Sequence, residues 1–268
     1  MRYIIAALIL FFSATEVALG QSSQEHTTGS LEYPKPLIRE QQTVVVNGMT
    51  EVWRLEWKRP PTSYCEPSDV SLTCPCMGFA YGEIGDLYLV RLRNGSEIER
   101  LHLTPLFGEE PGAAVQRWLP DDDKDFQLAE RDDFVELVSQ RPIVRVMQLA
   151  DYNHDGMATK FYLQTESDPC GKSAGVLIGI SKSDPRLHVF GTASHPGKPL
   201  GLFKWEWDAL KGSTGPVTVT DWECGDHGAD TRTEVHLHWS GDTVDGVRRE
   251  YSCPSDNAKP VLISEKPL

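Results

Sequence analysis

Leu87-Tyr88-Leu89-Val90-Arg91-Leu92-Arg93-Asn94-Gly95-Ser96-Glu97-Ile98-Glu99-Arg100-Leu101-His102-Leu103 is the stretch whose reading decides the fold. Apolar and polar residues alternate on both sides of Asn94-Gly95, and a period of two is the mark of a half-buried strand. Asn-Gly supplies the two positive-φ residues of a tight turn, so the segment reads as a β-hairpin. With a two-residue turn, Leu92 faces Glu97 and Tyr88 falls opposite Leu101. Asn94-Gly95-Ser96 is also an N-glycosylation sequence in a host that glycosylates, but the tight turn is sufficient reason for it.

The same signals recur along the chain. Alternating or short apolar runs mark residues 44–46, 52–57, 143–150, 158–165, 217–222 and 231–239 as strands, and residues 176–180 and 187–190 read as a hairpin around Ser183-Asp184-Pro185. The expectation is an all-β fold, mainly antiparallel hairpins in a sandwich, barrel or propeller-like sheet, with one to three short helices. Residues 109–138 break the β pattern, with Asp121, Asp122 and Asp123 available as helix caps before Phe126 and Leu128. In residues 203–210, Phe203, Trp207 and Leu210 fit a helix face, whereas Phe203, Trp205 and Trp207 fit a strand face; a short helix is preferred.

Arg2, an apolar run over residues 4–12 and small residues at Ala18 and Gly20 have the layout of a signal peptide over residues 1–20. The run is too short for a bilayer span, which needs about 20 apolar residues. Residues 21–42 are polar, lack a hydrophobic period and read as a flexible leader. Residues 43–268 are then the mostly β domain, with a division into two subdomains placed near 105–140. The expected location is secreted or periplasmic. A net charge of −13 argues against nucleic acid. The expected partner is an unknown protein or carbohydrate ligand, with no membrane insertion after signal removal. The densest acidic run, Asp121 to Asp123, Asp125, Glu130, Asp132 and Asp133, reads as a solvated loop or helix start.

Six cysteines in an exported chain point to disulfides. Cys74 and Cys76 are too close to pair with each other, which leaves Cys65 and Cys170 as available partners. Cys224 and Cys253 fall at the ends of the first and third strands of a meander, hence at one end of it, and are the preferred pair.

Asp151-Tyr152-Asn153-His154-Asp155-Gly156 is the most informative local motif. Oxygen ligands at alternate positions followed by glycine fold around a hard cation, so Asp151, Asn153, Asp155 and Met157 are the candidate metal ligands and calcium the expected cofactor. The flanks are strands and the twelfth position is Tyr162, where an EF-hand places a bidentate glutamate, which excludes an EF-hand. Over residues 143–165 the chain resembles the calcium loops of FG-GAP and VCBS repeats, in which D-x-N-x-D-G joins strands of a propeller blade. Those repeats carry a further aspartate at the ninth position; here it is Thr159, so the ligand set is thinner. Seven blades at roughly 60 residues each exceed the chain, so a complete propeller is excluded. The competing account is an Asx-rich turn bonded to its own backbone. A degenerate echo, Asp221-Trp222-Glu223-Cys224-Gly225-Asp226-His227-Gly228-Ala229-Asp230, also lies between strands, with spacing too irregular for firm ligation.

His236 and His238 share one strand face with Arg232 and Glu234, opposite Val235, Leu237 and Trp239. Histidines at i and i+2, joined by His227 or Asp230, would form a zinc site able to support hydrolysis; a polar solvent face needs no further help. Cys170-Gly171-Lys172-Ser173 lacks the first glycine of a phosphate loop, Glu166 standing there, and 179–183 lacks the last glycine of a nucleophile elbow. His195-Pro196-Gly197 reads as a loop with an exposed imidazole. Three function classes follow: a non-enzymatic secreted β module, calcium-stabilised, for binding or envelope structure; a metal-dependent hydrolase using His236 and His238; and a carbohydrate-binding domain, which requires two or three of Trp53, Trp57, Trp205, Trp207 and Trp239 on one flat exposed face.

Overall fold

The Asn94-Gly95 hairpin forms as expected between β5 (Leu87–Arg93) and β6 (Ser96–His102), with φ of 52° and 79° at its tip. Its register departs from the simple one. Leu92 faces Glu97 but Arg91 faces Glu99, so Ile98 bulges and Tyr88 falls opposite His102 instead of Leu101. The skip sets Arg91 Nη1 2.5 Å from Glu99 and stacks the Tyr88 and His102 rings at 4.5 Å, while Ile98 stays exposed.

The computed structural model describes residues 35, 37–64, 81–119, 133–168, 172–253 and 259–268. The signal-peptide stretch, the leader up to Pro34, the acidic run up to Asp132, and Cys65, Cys74, Cys76 and Cys170 lie outside them. Four sheets, all antiparallel, make up the described part. The first runs β1-β2-β5-β6, with β1 (Leu37–Val46) and β2 (Met49–Trp57) joined at Asn47-Gly48, a second Asn-Gly turn. Strand β1 thus begins inside the stretch expected as leader. A small sheet, β3-β4-β7, joins β3 (Thr62–Tyr64), β4 (Gly82–Gly85) and β7 (Ala113–Gln116). Strand β7 lies where helices were expected; Ala113, Ala114 and Val115 are all buried, so both faces are covered and no amphipathic period shows in the sequence.

Residues 143–150 are a correction. They form no strand: the backbone makes one bridge, Ala150 to Lys160, and the Val144 N–H donates to the Arg117 carbonyl at 2.8 Å. Side chains take over from a ladder there: Glu40 Oε2 accepts the Val146 and Met147 N–H groups at 2.8 and 3.3 Å. Beyond them β8 (Lys160–Asp168) pairs with β9 (Lys172–Gly179), whose other edge carries β10 (His188–Val189) and β11 (Leu202–Phe203). The last sheet is the meander β12 (Val217–Trp222), β13 (Thr231–Ser240), β14 (Thr243–Ser252) and β15 (Leu262–Pro267). Cys224 and Cys253 lie at its end at disulfide distance, Cα–Cα 5.6 Å. Two short α-helices complete the described residues, α1 (Phe134–Ser139) and α2 (Lys204–Gly212), the second where a helix was preferred.

The β8–β9 pair is covered on both faces. Phe161, Leu163, Val176 and Ile178 join the first sheet's core with Trp53, Leu55 and Leu89, whereas Leu177 and Tyr162 turn to a second core with Phe190, Trp207, Val235 and Leu237. Burial at consecutive residues of β9 explains why its sequence is a continuous apolar run. Among the described residues no helix is long and apolar enough to cross a membrane.

Candidate functional site

Loop 151–157 leaves the Ala150–Lys160 bridge and returns to it, turning through His154 and Gly156 at φ of 57° and 88°. Asp151 folds back on the loop: Oδ1 accepts the Asp155 N–H at 3.1 Å and Oδ2 the Gly156 N–H at 2.9 Å. Asp155 Oδ1 accepts the Met157 N–H at 2.9 Å, and Oδ2 the Lys182 N–H at 2.8 Å. Asp151 and Asp155 thus bond the loop's own backbone as an Asx-rich turn does.

A residue that the sequence reading overlooked stands at the loop's centre. Lys160 is completely buried, and its Nζ lies 2.7 Å from Asp155 Oδ1, 3.1 Å from the Met157 carbonyl and 3.8 Å from Asp151 Oδ1. Three of the four candidate ligands thus surround an ammonium. The fourth, Asn153, turns aside to donate to Asp242 Oδ1 at 2.9 Å, and its own Oδ1 is buried without a hydrogen-bond partner. Thr159, at the ninth position, donates to the Ile180 carbonyl at 2.9 Å. His154 Nε2 donates to the Leu210 carbonyl at 3.1 Å. Burial pushes the Asp155 carboxyl upward, but the Lys160 ammonium and the Lys182 and Met157 N–H groups outweigh it and hold the group below its ordinary value. The available signal was a lysine at the head of an apolar strand, directly after an acidic loop.

His236 and His238 share the outer face of β13, as expected. His236 Nδ1 is 2.9 Å from Thr218 Oγ1 and its Nε2 3.4 Å from Glu234, while His238 Nε2 is 3.8 Å from Asp245. Both line a 520 Å³ cleft with Ser194, Asp245 and Leu268. Among the described residues no three His, Cys, Asp or Glu side chains group as metal ligands; the His227 side chain lies outside them. His195 is exposed, with Nδ1 2.9 Å from Ser194 Oγ. Trp53, Trp57 and Trp207 are core residues, at most 2% exposed, and Trp239 packs edge-on against Phe190. Trp205 stacks on Phe203 at 4.4 Å.

Beside the echo loop lies a buried acidic pair, Glu206 and Asp221. Glu206, in the first turn of α2, accepts the Phe203 N–H at 2.6 Å through Oε2, while Oε1 is buried and the carboxyl interacts with Asp221. Asp221, the bulged residue of β12, keeps both oxygens buried, in side-chain reach of Glu206 and Trp205. One guanidinium, Arg248, stands 3.4 Å from Asp221 and 3.9 Å from Glu206. Burial, then the Asp221 charge, push Glu206 up to about 8, and burial raises Asp221. Nearby, Lys172 Nζ lies 3.2 Å over the Trp222 ring and 3.1 Å from Asp226. Comparison with protein-family models, curated proteins and solved structures finds no match to this chain.

Proposed function

We propose that this chain is an exported, disulfide-containing β module that serves binding of a protein or carbohydrate ligand, or envelope structure, and that loop 151–157 is its clasp. The reach of that loop carries the reading. Its polar atoms engage Lys160 at the head of β8, Lys182 after β9, Leu210 in α2 and Asp242 in the β13–β14 turn. A loop that ties four segments is built for rigidity, and its centre requires a cation, supplied either by calcium or by Lys160. The Cys224–Cys253 pair supports export, since such a bond persists in an oxidising space.

Non-reducing peptide mapping of the protein recovered outside the cytoplasm tests this reading. A chain processed after Gly20, with Cys224 and Cys253 in one linked peptide, is the expected result. A full-length cytoplasmic chain with both thiols free would sink it. The zinc-hydrolase reading keeps one favourable observation, the cleft that His236 and His238 line beside Asp245. It requires bound zinc that is lost in His236→Ala and His238→Ala variants.

A further inference from the structure

We propose that Lys160 is the resident cation of loop 151–157: its ammonium takes the place of a calcium ion, so the loop closes without metal, and removing the amine uncovers a divalent-cation site. This inference rests on the clasp reading above.

Hard-cation loops present side-chain oxygens at alternate positions and a backbone carbonyl at the seventh. In this loop those groups are Asp151, Asp155 and the Met157 carbonyl, and Lys160 Nζ lies among them at 3.8, 2.7 and 3.1 Å. The backbone dictates that position. Ala150 and Lys160 exchange hydrogen bonds of 2.8 and 3.2 Å across the neck of the loop, so a side chain that leaves Lys160 toward the interior enters the ring of oxygens. Because Lys160 is fully buried, its charge is met by the protein or not at all.

A metal bound by the same oxygens at about 2.3–2.6 Å would share the cavity with that ammonium, and two buried cations a few ångströms apart repel strongly. One excludes the other. With the amine gone, the two carboxylates and the Met157 carbonyl would face an empty centre. Asn153 Oδ1, already buried without a partner, is a further oxygen in the same loop.

Calcium chloride alone is the probe, in calorimetry and in thermal melts of the full chain after chelation. The wild type is expected to show neither binding heat nor a shift in Tm. Lys160→Ser, which leaves room for an ion, should melt roughly 10 °C lower in chelator, regain part of the loss with calcium, and lose that regain when Asp155→Asn is added. Lys160→Met, which fills the space without charge, should fall similarly and regain nothing. Saturable stabilisation of the wild type by calcium, abolished by Asp155→Asn, would overturn the proposal while leaving the clasp reading intact; so would an unaffected Lys160→Ser that takes up no calcium. Should Lys160→Ser fail to fold, its loss meets the first expectation and the wild-type titration decides. An Asp151→Ala, Asp155→Ala variant with unchanged Tm would instead sink the clasp reading itself.

Discussion

The two acidic loops of this chain look alike in sequence and are held by opposite means. In loop 151–157 every oxygen of Asp151 and Asp155 accepts a backbone N–H or a lysine ammonium, and the charge of a buried lysine balances the pair. In the echo, Asp221 is buried against Glu206 with one guanidinium 3.4 Å away, and Cys224 and Cys253 stand at disulfide distance beside the loop. In the first pair, Asp155 is held as an ion by its partners. The second is stable when it holds a proton, because two buried carboxylates facing one partly exposed arginine are under-compensated. An acid-glycine pattern therefore fixes where a turn falls, while the charge that closes it comes from elsewhere in the chain.

Asp155→Ala is the substitution with the largest expected effect. It strands the buried Lys160 ammonium, and breaking such a pair costs about 3–5 kcal/mol, read from urea unfolding at neutral pH. The wild-type pH dependence follows the same chemistry. Asp155 is held below its unfolded value, so its contribution is complete above pH 3.8 and is lost as pH falls through the lower folded value. A loss unchanged at pH 2.5 would break the assignment of that stability to an ionised carboxylate.

Glu206→Gln sharpens the contrast in the other direction. The Glu206 carboxyl titrates at about 8 in the fold against 4.5 unfolded, so its contribution is complete below pH 4.5 and is lost as pH rises through 8. Glutamine keeps an acceptor for the Phe203 N–H and removes the ionisation. The variant should gain on the order of 2 kcal/mol over the wild type at pH 9 and little or nothing at pH 4.5, measured by denaturant unfolding at both values. Equal differences at the two pH values would show that the fold does not raise the Glu206 carboxyl.

Much of the fold was legible in local signals. Asn94-Gly95 gave its hairpin, the β12–β14 meander put Cys224 beside Cys253, and Phe203, Trp207 and Leu210 marked α2. Other features depended on partners distant in sequence. The Ile98 bulge answers to Arg91 meeting Glu99. The loss of a ladder over 143–150 answers to Glu40, and the depth of Glu206 to the packing of α2 against β9 and β12. Lys160 was hidden for a simpler reason: a lysine on a strand reads as solvent-facing unless its counter-charges, here only a few residues upstream, are counted as part of the same site.

Lys172→Met offers the smallest effect and the cleanest control for Lys160. Both lysines sit beside an aspartate of an acidic loop, and they differ in solvent. Lys172 keeps part of its side chain in water, between Asp226 at 3.1 Å and the face of Trp222. A partly exposed ion pair and a cation–π contact are together worth about 1 kcal/mol or less, and methionine retains the stem's packing. The loss should shrink further in 1 M salt, where the Debye length is about 3 Å, whereas the loss on removing the Lys160 amine should persist because a buried pair is screened far less. Unfolding both variants at low and high salt separates the two cases. If salt erases both losses alike, the Lys160 ammonium is reached by solvent and the distinction between the loops fails; if it erases only the Lys172 loss, burial of the cation separates the clasp from its echo.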